Sequence, residues 1–239
     1  MADIPANLRD VQGRLAQAAR RSGRDPSEIE LLVVSKTWPA EIVREVIGAG
    51  HSLLGENKLQ EAALKIPELP SSARWHFIGH LQRNKARKAL ELFEAIHSVD
   101  SLRLARHLDR LAGELQRRPS VYLQVNAVGE ASKSGFDVTG LRESLEELAT
   151  LEHLKIAGLM SIPPAVEEAE EARSSFRELR ELRDQMVESS GVSLPGLSMG
   201  MSHDFEIAIA EGATIVRVGS SIFGPRRQAP AGSGSQSTN

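Results

Sequence analysis

The sequence runs to 239 residues, 41% hydrophobic and 26% charged, a composition ordinary for a globular protein large enough to need no cross-link. It contains no Cys, which excludes a disulfide scaffold, a thiolate nucleophile and any Cys-ligated metal. A net charge of −3 argues against general binding to nucleic acid or to an anionic membrane.

In chain order, the opening MADIPANLRDVQGRLAQAARRSG places Ile4, Leu8, Val11 and Leu15 at helical spacing. It reads as an amphipathic helix and not as a signal peptide. No stretch approaches the ~18 apolar residues of a membrane span. The expected location is the cytoplasm. Short apolar runs then alternate with longer periodic segments. The runs are 31–34, 52–54, 75–78, 95–98, 121–125, 156–160, 194–198 and 214–218. Helical patterns fit 39–49, 57–65, 84–92, 102–115, 141–148, 166–187 and 205–211. In the segment 166–187, Phe176, Leu179, Leu182 and Met186 form the core-facing stripe. Strands alternating with helices imply parallel βαβ units, because parallel neighbours need a crossover. Eight such units predict a single α/β domain over residues 1–227, a (β/α)8 TIM-type barrel with an extra N-terminal helix. A doubly wound open sheet is the alternative. The Gly/Ser/Pro-rich segment 228–239 is expected to be a disordered tail.

In a barrel, chemistry gathers at the carboxyl ends of the strands. Lys36 follows the first predicted strand, Asn57 the second and Arg217 lies near the end of the eighth. The turns after strands seven and eight, Ser198-Met199-Gly200-Met201-Ser202 and Arg217-Val218-Gly219-Ser220-Ser221, place Gly and Ser between a strand and a helix start. Free backbone N–H groups there favour an anion, and barrels often hold phosphate at these two loops. The plainer reading of Ser202 and Ser220 is that they cap helices. A free Lys, with a pKa of about 10.4, is a poor nucleophile at neutral pH. A partly desolvated site with Arg217 nearby would free its amine to form a Schiff base. Lysine and phosphate sites combine in this way in proteins that hold pyridoxal phosphate. The seven His show no metal-ligand spacing, so no metal is expected. The cluster Arg83, Lys85, Arg87 and Lys88 reads as a solvated helix face.

Taken in order, VVSKTWPAE, GENKLQE, WHFIGHLQRNK, GLMSIPP, LSMGMSHDFEIAI and VRVGSSIFG resemble the pyridoxal phosphate homeostasis protein family, related to the amino-terminal barrel of alanine racemase. The resemblance runs from the first strand to Gly224. It implies that Lys36 forms the internal aldimine with pyridoxal 5'-phosphate and that Asn57 is a polar residue on the cofactor side. It further implies that Ser198, Ser202, Gly219 and Ser220 cradle the phosphate, and that Arg217 faces the pyridine nitrogen. Two departures stand out. Many relatives have Thr at the position of Ser220, which keeps a hydroxyl, and an aromatic at that of Lys58, which alters the wall of the pocket.

Three functions compete: a protein that buffers and delivers the cofactor, an amino-acid racemase, and a cofactor-free Schiff-base enzyme acting on a phosphosugar. A guanidinium against the pyridine nitrogen disfavours ring protonation and blunts the cofactor as an electron sink. Racemisation also needs acid/base groups on both faces of the α-carbon. Lys36 supplies one, and Tyr122, the only tyrosine, sits inside a predicted strand. The expectation is therefore a non-enzymatic, monomeric carrier, with pyridoxal phosphate-dependent apo-enzymes as its receivers and neither nucleic acid nor membrane as a partner.

Overall fold

The computed structural model describes residues 2–126, 134–164 and 166–225. The expected tail at 228–239 and the last residues assigned to the barrel, 226–227, lie outside them. Eight strands form one parallel sheet: β1 (Glu30–Val34), β2 (Leu53–Glu56), β3 (Arg74–Phe77), β4 (Ala95–Val99), β5 (Ser120–Gln124), β6 (Lys155–Met160), β7 (Gly196–Met201) and β8 (Ile215–Val218). They pair in sequence order, and β8 pairs back onto β1 with Leu32 opposite Arg217 and Val33 opposite Val218. This closure gives the (β/α)8 barrel and excludes the open sheet.

The helices that cross between or follow the strands are α2 (Ala40–Gly48), α3 (Leu59–Lys65), α4 (Ala86–Leu92), α5 (Leu102–Glu114), α6 (Val138–Ala149), α7 (Arg173–Ser190), α8 (Phe205–Ala210) and α9 (Ser220–Phe223). The extra helix α1 (Ile4–Arg21) starts where the Asp3 carboxylate accepts the Ala6 N–H at 3.0 Å. It buries Ile4, Leu8, Val11 and Leu15, as their spacing predicts, and packs on α8 and α9. Arg14 there spans 2.7 Å to Glu206 and covers the Phe205 ring. No helix among the described residues is long and apolar enough to cross a membrane.

Period-two alternation splits the core in two. Outward-facing residues such as Leu31, Val33, Leu54, Trp75, Phe77, Ile96, Leu123 and Val216 pack under the helices. Leu32, Leu53, Tyr122, Ala157, Met160 and Ile215 fill the barrel itself. The site residues keep the inward parity: Lys36 with Leu32, Asn57 with Leu53, Arg217 with Ile215.

Three boundaries differ from expectation. The segment 166–187 is helical only from Arg173, after a 3-10 turn at Ala169–Ala172, because the acidic run before it places few apolar residues against the core. β7 starts at Gly196 and continues to Met201, so Ser198 lies inside the strand and does not open a turn. The four-residue α9 is too short to show a period and escapes pattern reading.

Candidate functional site

A cavity of about 500 Å³ opens at the carboxyl end of the barrel, and Lys36, Asn57, Ser202, Arg217, Gly219 and Ser220 all line it. Four strands, β1, β2, β7 and β8, or the segments that follow them contribute these six residues. Ser198, the seventh residue expected there, lies below the cavity and off its wall. Because β7 runs on past it, its side chain faces the barrel interior. Its hydroxyl is fully buried, 2.8 Å from both Arg217 Nη1 and His97 Nδ1.

Half-buried Lys36 is presented by a tightly held turn. The Ser35 N–H donates to Gly55 O at 3.0 Å and the Ser35 hydroxyl to Glu56 Oε1 at 2.7 Å. Lys65 Nζ, from α3, donates to Ser35 O at 2.9 Å and to Glu56 Oε1 at 2.6 Å. The Trp38 N–H closes the turn on Ser35 O at 3.2 Å. Thr37, next to the lysine, has φ of 69°, a left-handed conformation costly for a β-branched residue. Its N–H is held by Glu61 Oε2 at 3.3 Å. Burial pushes the Glu56 carboxyl above the usual range, partly offset by Lys65.

Asn57 follows β2 directly, and its Oδ1 is buried without a hydrogen-bond partner among the described residues. Such an atom costs free energy unless something else satisfies it. Gly79, after β3, lets the chain pass over Asn57: a Cβ there would lie 2.0 Å from the Asn57 carbonyl oxygen. The far wall is built by two turns that brace each other. Ser202 Oγ accepts the N–H of Gly219 at 3.1 Å and of Ser221 at 3.4 Å, and the Ser221 hydroxyl donates to Ser202 O at 3.3 Å. Ser202 thus caps α9 from the neighbouring turn. The caps of its own helix α8 and of α9 are Asp204 and Gly219, so neither Ser202 nor Ser220 is a conventional N-cap.

The Arg217 guanidinium forms the floor. Nη1 donates to Ser198 O at 2.6 Å and Nη2 to Ser161 O at 2.8 Å. Burial lowers its pKa to about 10, against a small opposing pull from Asp204, so it stays charged at neutral pH. No cluster of potential metal ligands occurs among the described residues. The polar residues behind the site, Glu56, Lys65, His76 and His97, were missed in the sequence. For Glu56, His76 and His97 the signal was a polar side chain inside an otherwise apolar strand; Lys65, at the end of α3, carried none.

A family model for the alanine racemase N-terminal domain matches residues 7–227. The pyridoxal phosphate homeostasis protein of Aquifex aeolicus is 43% identical over 221 residues, covering 92% of this chain and 97% of that protein. The chain belongs to the pyridoxal phosphate homeostasis protein family. The family member from Escherichia coli K12 is 41% identical over 236 residues, covering 95% of this chain and 98% of its own length. Among solved structures, PipY of Synechococcus elongatus with PLP bound superposes with a TM-score of 0.78 at 43% identity. That match covers 90% of this chain and all of PipY. The two homeostasis proteins match over nearly their whole length and are named for homeostasis and not for a reaction.

Proposed function

We propose that this protein binds pyridoxal 5'-phosphate at the barrel mouth as a Schiff base on Lys36, and buffers and delivers the cofactor in the cytoplasm as a non-enzymatic monomer. One observation carries the reading: a primary amine, an orphaned amide oxygen, a buried guanidinium and a serine-braced Gly219-Ser220 turn share one cavity. That set matches an aldehyde, a ring with a polar edge and a phosphate. The cofactor, when bound, supplies the aldehyde that condenses with an amine. The chain does the rest. The clamped Ser35-Lys36-Thr37 turn aims the amine into the cavity, and Asn57 Oδ1 waits for a donor. Ser202 orders the Gly219-Ser220 turn by accepting the Gly219 and Ser221 N–H groups, and Ser220 then lines the cavity as the hydroxyl for an anion. Arg217, fixed from below and charged, opposes a proton on the pyridine nitrogen and so weakens carbanion chemistry.

This reading favours a carrier over a racemase, and Tyr122 supports it. Its side chain is buried in the barrel interior with its ring 4.5 Å from that of His97, and burial pushes its hydroxyl up to about 12. It is core, not a second acid/base. The receivers of the cofactor in this reading are apo-enzymes that use it.

The test is an absorption titration of the chain with pyridoxal 5'-phosphate, then borohydride reduction and peptide mapping. The adduct is expected on Lys36. An adduct on Lys58 or Lys85 with Lys36 unmodified overturns the assignment, and equal affinity for pyridoxal and its phosphate overturns the phosphate cradle. Incubation with L-alanine in deuterated water is expected to leave chirality intact. Rapid appearance of the D-enantiomer, abolished by Lys36→Ala, would mean a racemase.

A further inference from the structure

A line of polar side chains descends through the barrel below Arg217. Ser198 Oγ lies 2.8 Å from Arg217 Nη1, His97 Nδ1 lies 2.8 Å from Ser198 Oγ, and His76 Nδ1 lies 3.0 Å from His97 Nε2. The four residues come from β8, β7, β4 and β3, and none is more than 5% exposed. His76 reaches a second cavity, of about 390 Å³, at the amino end of the barrel, beside Tyr122, Arg74, Glu30 and Glu94.

The line has a direction, because guanidinium is a donor only. Arg217 Nη1–H must donate to Ser198 Oγ. The Ser198 proton then has His97 Nδ1 as its acceptor, so the His97 ring carries its own proton on Nε2. That proton is donated to His76 Nδ1, so His76 is also protonated on Nε2 alone. The reverse order would leave the Ser198 hydroxyl proton buried with no acceptor, a costly arrangement. A charged imidazole is disfavoured throughout. Burial, with Arg74 nearby, lowers His76 to about 4; burial, His76 and Arg217 hold His97 well below its usual value.

We propose that Ser198, His97 and His76 form a one-way hydrogen-bond column, both imidazoles neutral and protonated on Nε2, that positions the Arg217 guanidinium beneath the cofactor. The positioning role rests on the cofactor reading above; the direction of the column does not. The three are positioning residues, since none of them lines the cavity. Ser198 fixes one edge of the guanidinium through its carbonyl and hydroxyl oxygens, while Ser161 O fixes the other. The column below holds that hydroxyl in its accepting orientation.

The experiment is nitrogen NMR of the full chain with labelled histidine, without and with pyridoxal 5'-phosphate. His76 and His97, assigned by single His→Gln variants, are expected as neutral Nε2–H tautomers that do not titrate between about pH 5.5 and 8, the range where an ordinary His changes charge. His97 protonated on Nδ1, or a charged ring at either position, overturns the column, and this measurement on the unaltered chain needs no substituted protein to fold. In Ser198→Ala, the His97 Nδ1 resonance is expected to shift and pyridoxal 5'-phosphate affinity to fall about 10- to 100-fold, the effect of losing one hydrogen bond to a charged group. Unchanged affinity in that variant overturns the positioning role. If the unaltered chain takes up no pyridoxal 5'-phosphate while showing the stated tautomers, the cofactor reading fails and the direction of the column is upheld.

Discussion

Thr37 holds a left-handed backbone that glycine adopts freely, and its side chain is exposed, so little packing depends on it. Relief of about 1–2 kcal/mol of backbone strain competes with about 0.5–1 kcal/mol of added chain entropy on Thr37→Gly. The expected result in a urea titration is no loss of stability and a gain of up to ~1 kcal/mol. Where strain aims the lysine, the same variant should weaken cofactor uptake while the fold gains. At this scale the sequence disclosed the groups that touch the cavity, since Lys36, Asn57 and Arg217 each stand at the end of an apolar strand. It did not disclose what holds them. His76 and His97 lie in RWHF and AIHSV, where lone histidines read as filler, and their adjacency comes from the pairing of β3 with β4. Ser198 was misplaced because a strand end and a turn look alike in a Gly/Ser/Met segment.

Between elements, α3 meets the end of β2 through a buried ion pair, Lys65 with Glu56, with Lys65 7% exposed and Glu56 fully buried. Removing one partner strands a charge. Lys65→Met should cost about 3–5 kcal/mol in a chemical denaturation curve, whereas Glu56→Leu combined with Lys65→Met should cost less than that single change. A double variant less stable than Lys65→Met would show that the pair contributes net stability. The α9 cap is milder. Ser202→Ala removes the acceptor for two N–H groups and should cost about 1 kcal/mol. The barrel order was legible because eight apolar runs alternate with amphipathic segments, a rhythm that physics ties to parallel pairing. The late start of α7 and the whole of α9 were not, since acidic runs and four-residue turns carry no period.

For the molecule as a whole, the two interior histidines make stability sensitive to acid. His76 falls from 6.5 in the unfolded chain to about 4 in the folded one, and burial, with His76 and Arg217 nearby, holds His97 well below its usual value too. The unfolded state therefore binds more protons in that window, and stability is complete above about pH 6.5 and is lost as pH falls toward 4. His76 alone accounts for about 3 kcal/mol. Glu56 acts with the opposite sign: its raised pKa favours the folded state as pH drops, so it offsets part of the loss. The check is urea denaturation across pH 4 to 7, where His97→Gln should flatten the slope. Closure of the sheet has a consequence in time. Lys36 and Arg217 face one cavity only because β8, the last strand, pairs with β1, the first. A ribosome makes the lysine early and its partners near the end, so a half-made chain displays an amine with no floor, no anion turn and no cavity. On the reading proposed above, cofactor capture waits for closure of the barrel, which makes loading a step that can be timed separately from synthesis.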